Sequence, residues 1–119
     1  MTAPTMPDLR DCMLLITAEA TPTKLVIIFR GLTTTTCERI HARLWGTSPD
    51  KPVRLPETIV NLSYLFNRQA ASTLEGLIWI AELDGYGNHV TLRVVDGADP
   101  YAAQSAVRAF LEELGISVE

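Results

Sequence analysis

The feature that most constrains the fold is an order of elements that occurs twice. The runs from Cys12 to Ala18 and from Leu25 to Phe29 are apolar and rich in residues that suit a pleated surface. They read as two strands, and a helix pattern follows from Thr36 to Trp45. The runs from Leu77 to Leu83 and from His89 to Val95 read as two more strands, followed by a helix pattern from Pro100 to Leu114. A hairpin–helix unit thus stands on each side of a Pro-rich middle. Two such units can pair into one antiparallel four-stranded sheet with the helices on one face, because a sheet must bury an apolar side against another layer. The expected fold class is therefore α+β, a two-layer domain, with ββα as a candidate internal repeat. Matching residues between the halves are few: Ala18-Glu19 with Ala81-Glu82, Gly31 with Gly97, and Leu44 with Leu111. The order of elements is the firmer reading.

At 119 residues, with 47% apolar and 20% charged residues, the chain has the size and composition of one globular domain. Residues 1–10 are polar and broken by Pro4 and Pro7, and read as a loose tail before a single domain from 11 to 119. The formal net charge of −4 argues against nucleic acid as the main partner, since phosphate binding needs clustered Lys and Arg. The local basic pairs, Arg39 with Arg43 and Lys51 with Arg54, read as solvated faces. No run of 18 apolar residues is present, so no membrane span is expected. The stretch from Met13 to Ile16 is too short for a signal peptide and follows Asp8 and Asp11 rather than basic residues. Cys12 and Cys37 lie in different elements without metal-ligand spacing, and in a cytoplasmic setting they read as small buried hydrophobes. No cofactor and no metal site is expected.

Local signals place the boundaries. Thr35-Thr-Cys-Glu38 matches a capping box at the start of the first helix, which carries Cys37, Ile40, His41 and Leu44 on one stripe and stops at Gly46. The stretch from Glu57 to Gln69 has two periodicities. Ile59, Leu62, Leu65, Phe66 and Gln69 form a helical stripe with Pro56 in the first turn, whereas Val60, Leu62, Tyr64 and Phe66 alternate as in a strand. The helical reading is preferred. Asp84 to Asn88 supplies residues that tolerate positive φ and reads as a hairpin turn. In the last helix Asp99 is the expected cap and Pro100 the first residue. Ala103, Val107, Phe110, Leu111 and Leu114 form its buried stripe, and Gly115 closes it.

Few residues suggest chemistry. His41 lies on the helical stripe and His89 opens a strand; both read as structural or surface histidines before they read as ligands or bases. The run Thr33, Thr34, Thr35 and Thr36 precedes a helix, where free N–H groups attract anions, so it is a candidate anion site. The segment from Val90 to Gly97 with its following helix resembles the end of HPr-type phosphocarriers, and Gly31-Leu32 resembles the start of their phosphorylation loop. That family carries Gly-Leu-His-x-Arg-Pro, and here Thr33 to Thr36 replace the His, Arg and Pro. The resemblance also implies a helix over Leu77 to Leu83, against its β-rich composition, and it is not adopted. A small enzyme or a phosphoryl-group carrier with a degenerate loop is kept as the alternative function.

The strongest functional hint is an excess of apolar residues. Both faces of the first strands are apolar. If Leu25, Ile27 and Phe29 face the helices, then Met13, Leu15, Val26 and Ile28 face away, with Ile78 and Ile80 beside them. A sheet with one face in water normally alternates with polar residues. Either the middle segment covers the second face or another chain does. The expected function is a non-enzymatic interaction or regulatory module, acting through contact with another protein chain, either a second copy or a different protein.

Overall fold

The computed structural model describes residues 11–17, 23–83 and 88–119, with residues 79–83 described by their backbone alone. The elements follow in the order β1 (Cys12–Thr17), β2 (Lys24–Phe29), α1 (Thr34–Trp45), α2 (Leu55–Ala70), β3 (Ile78–Leu83), β4 (His89–Val94) and α3 (Pro100–Glu113). The tail expected at 1–10 and the turns expected around 20–24 and 84–88 lie wholly or largely outside the described residues. The class is α+β, as expected.

The strands form an antiparallel sheet in the order β1-β2-β4-β3. The two halves of the chain therefore meet at β2 and β4, where Leu25 lies opposite Leu92 and Ile27 opposite Val90. Side chains alternate across a strand. Cys12, Leu14, Leu25, Ile27, Phe29, Val90, Leu92 and Val94 fall on one face, and all are buried. Residues of the three helices, with Leu74, Ile78, Leu114 and Ile116, complete a single core cluster against that face.

Helix boundaries follow local chemistry. α1 begins two residues earlier than the capping box suggested. Its N-cap is Thr33, whose hydroxyl oxygen accepts from the Thr36 backbone N–H at 3.2 Å. The third position after this cap is Thr36, so Glu38 is not where a capping box needs it. Gly46 ends α1 at φ 76°, with its N–H donating to the Ala42 carbonyl. α2 settles the ambiguous stretch as helix, with Pro56 in its first turn, where a missing N–H costs nothing. Its buried residues include Thr58, Ile59, Asn61, Leu62, Ser63, Leu65 and Phe66, a band wider than one stripe. The band is wide because α2 packs on β3 on one side and α1 on the other. Its buried hydroxyls are satisfied within the helix: Thr58 Oγ1 donates to the Arg54 carbonyl at 3.0 Å and Ser63 Oγ to that of Ile59 at 3.1 Å.

α3 starts at the Asp99 cap, whose carboxylate accepts from Tyr101 N–H at 3.0 Å. It closes at Gly115, φ 86°, where Ile116 N–H returns to the Leu111 carbonyl and Gly115 N–H to that of Glu112. This turn sends Ile116 into the core and lays the last residues beside β1. Cys12 and Val118 form a parallel bridge there, and Asp11 and Ser117 exchange two hydrogen bonds of 2.9 Å.

Phe110 lies on the buried stripe of α3, edge-on to Phe66 with ring centroids 5.3 Å apart. Phe110→Ala is expected to destabilise the protein by about 3–5 kcal/mol, because it removes both the burial and the ring pair. Chemical denaturation checks this, and a loss below about 1 kcal/mol would show that the stripe does not carry core packing.

Candidate functional site

The face of the sheet turned away from the helices is the candidate site. Its described residues form cross-strand rows set by the register. Met13 lies opposite Ile28, which lies opposite His89. Leu15 lies opposite Val26, which lies opposite Thr91. Thr17 lies opposite Lys24, which lies opposite Arg93. Met13, Val26 and Ile28 are half-buried by their neighbours, and Leu15 is 41% exposed. The apolar quartet thus spans β1 and β2, with β4 as a polar margin and Lys24 and Arg93 at one end. At the other end, Arg30 pairs with Glu119. α2 joins the core side of the sheet, so among the described residues no helix covers this face.

One expected member of the face needs revision. Ile78 is only 2% exposed and belongs to the core. It lies opposite Val94, whereas Ala81 lies opposite Leu92, so three steps along β3 match two along β4. The pairing is shifted within the strand, as in a β-bulge, and simple alternation assigns Ile78 to the wrong side. The Ile80 side chain lies outside the described residues.

The other candidates are not brought to this face, apart from His89. At the start of α1 the Thr33 hydroxyl and the Thr36 amide are engaged with each other, while Thr34 and Thr35 are exposed. His41 is half-buried; its Nδ1 lies 3.1 Å from the Thr47 carbonyl, and its ring is tilted against Trp45 at 6.5 Å. It ties the end of α1 to the linker that follows. His89 opens β4 beside Ile28, on the margin of the apolar quartet. Among the described residues no three His, Cys, Asp or Glu side chains gather to hold a metal ion. No described helix is long and apolar enough to cross a membrane.

The sequence reading missed that two aromatic residues of α1 and α2 are exposed. Trp45 is 58% exposed and Tyr64 53%. Trp45 is held in place by its Nε1–H, which donates to the buried Asn61 Oδ1 at 3.3 Å. Beside it runs an open cleft of about 610 Å³, lined in part by His41, Val53, Lys51, Arg54, Asp50 and Glu57. Its charges are mixed and select no ligand. The signal available in the sequence was Trp45 itself, a large apolar residue just before a helix-ending glycine.

The chain matches no protein-family model, and no match to it is found among curated proteins or solved structures.

Cys12 and Cys37 are both free and buried, as their apolar setting implied. Burial pushes the Cys12 thiol up from 9.0 to about 12. Asp11 adds to the rise, and Arg108 and Arg30 oppose it. The folded state thus favours the protonated thiol. The stability this confers is fully present below about pH 9 and is lost as pH climbs toward 12. Denaturation midpoints of the wild type are expected to fall faster over that range than those of Cys12→Ala. Equal slopes would show that the thiol does not titrate against folding.

Proposed function

We propose that this chain is a non-enzymatic interaction module that binds another protein chain through the outer face of β1 and β2. The observation that carries the reading is the apolar quartet Met13, Leu15, Val26 and Ile28 on a face that no described helix covers. β4 acts as an internal control. At its outward positions it places His89, Thr91 and Arg93, so polar residues are compatible with this face of the sheet. Strand formation alone does not require apolar residues at the outward positions of β1 and β2. An apolar centre with a polar margin is the usual anatomy of a docking surface.

The phosphoryl-carrier alternative has less support, because β3 is a strand where that resemblance needs a helix. In the preferred reading the module works in the cytoplasm as an adaptor or regulatory part, and the two unpaired cysteines fit that compartment. The two ββα units are read as related by an approximate two-fold through the β2–β4 pair, with α2 inserted between them.

The test is the Ile28→Lys variant, compared with the wild type in cells and in denaturation. The wild type is expected to migrate in a complex larger than its 13.1 kDa. The variant is expected to lose the complex and to stay folded, with a stability change below about 1 kcal/mol, as befits a surface position. An unfolded variant beside a wild type that is monomeric in cells would make this face ordinary core and remove the proposal.

A further inference from the structure

We propose that a cleft between α3 and the turn after α2 is a binding site for a free apolar α-amino acid, held as its zwitterion. Three observations carry this ligand class.

The first is shape. The cleft has a volume of about 450 Å³, within the usual range of small-molecule sites. Its α3 wall is Ala106, Ala109, Phe110 and Glu113, which follow at i, i+3, i+4 and i+7 and so share one side of the helix. Two of these four are alanines, and their short side chains leave the space open. Phe110 and Leu74 form the base. They are 5% and 3% exposed and belong to the core cluster, so the base is apolar and fixed by the packing of the fold.

The second is charge. Among the described residues that line the cleft, the charged ones are Arg43 and Glu113, paired at 3.1 Å between α1 and α3. Both side chains are exposed, and an exposed ion pair contributes little, so it opens readily. A ligand with one charge makes poor use of this pair. A lone carboxylate on Arg43 stands beside the Glu113 carboxylate, and a lone amine on Glu113 stands beside the Arg43 guanidinium. A zwitterion satisfies both: its carboxylate accepts from Arg43 and its ammonium donates to Glu113. One ion pair is then replaced by two charge-assisted contacts.

The third is a held amide. Gln69 Oε1 accepts from the Thr73 hydroxyl and from the Ser72 hydroxyl at 3.5 Å. The Gln69 carbonyl also ties down the turn, accepting from Leu74 N–H at 2.8 Å. With its oxygen engaged, Gln69 offers its amide N–H groups as donors for a carboxylate. The lining thus supplies donors for the carboxylate, an acceptor for the ammonium, and an apolar base for the side chain.

The site lies in the helical layer and is independent of the outer sheet face, so its failure leaves the interaction reading untouched. The test is a titration of the ¹⁵N-labelled full chain with L-leucine, L-methionine and L-phenylalanine in turn, followed by NMR. At least one of them is expected to give saturable shifts at Leu74, Ala106 and Ala109 and at the Gln69 side-chain amide. N-acetyl-leucine, which lacks the ammonium, and leucine amide, which lacks the carboxylate, should each bind about tenfold more weakly than leucine, or worse, as the loss of one charged contact would. Arg43→Gln and Glu113→Gln should weaken leucine by a similar factor. Ala109→Leu, a change at an exposed position, should fill the cleft and abolish binding. The proposal fails if no apolar amino acid gives saturable shifts at these residues, or if serine binds as well as leucine. It fails equally if either leucine derivative binds as tightly as leucine, or if both charge variants keep the wild-type affinity. The spectra report whether each variant is folded; should Ala109→Leu not be, the two charge variants decide.

Discussion

The fold depends on the pairing of β2 with β4. No turn joins these strands; Leu92 lies 67 positions after Leu25, its partner across the pair. Closing a loop of that length has an entropic cost that backbone hydrogen bonds alone do not offset. What offsets it is the layer beneath: Leu25, Ile27, Val90 and Leu92 are each 0% exposed under the helices. Each such burial contributes about 1.5–3 kcal/mol. The central pair therefore forms only if the helices cover it, and the helices have no core unless it forms. The outer strands then attach to this pair.

α2 makes that coverage possible. The two ββα units by themselves supply α1 and α3. α3 lies against β1, α1 packs on α2, and α2 takes the place above β3. This position, wedged between a sheet and a helix, explains why α2 is buried over so wide a band. It also explains the polar residues on it. Thr58 and Ser63 hide their hydroxyls against carbonyls of their own helix, and Asn61 holds the indole N–H of Trp45.

Much of this was legible in the sequence, because it follows from short-range rules. Strand alternation put Leu25, Ile27 and Phe29 on one face, and that face is the buried one. Asp99 with Pro100 and Gly115 marked both ends of α3, since a capping carboxylate, an early proline and a closing glycine each act within one turn. The misses share a different cause. Ile78 was placed on the wrong face because a shift of register in β3 is set by its pairing with β4 and leaves no mark in the periodicity. The α1 cap was placed at Thr35 because four consecutive threonines offer the same chemistry, and the side chain that the core accepts, Thr36, decides the phase. In the candidate site, the β1 and β2 residues were legible by alternation. The charged end was not, because it exists only where Lys24 and Arg93 meet across strands from different halves of the chain.

The same long-range arrangement explains how an apolar face can be kept in water. A bare edge strand next to exposed apolar residues invites pairing with other chains. Here the last residues occupy the start of the β1 edge: Asp11 and Ser117 are doubly hydrogen-bonded, and Arg108 holds the Val118 and Glu119 carbonyls at 3.3 Å. Gln104 occupies the next open carbonyl. These contacts block strand-by-strand growth at that end without touching the face. The protection is thus directed at the edge, where aggregation begins, and leaves Met13, Leu15, Val26 and Ile28 accessible. A sheet that needed only to avoid association would more simply place polar residues at those four positions, as β4 does at its own.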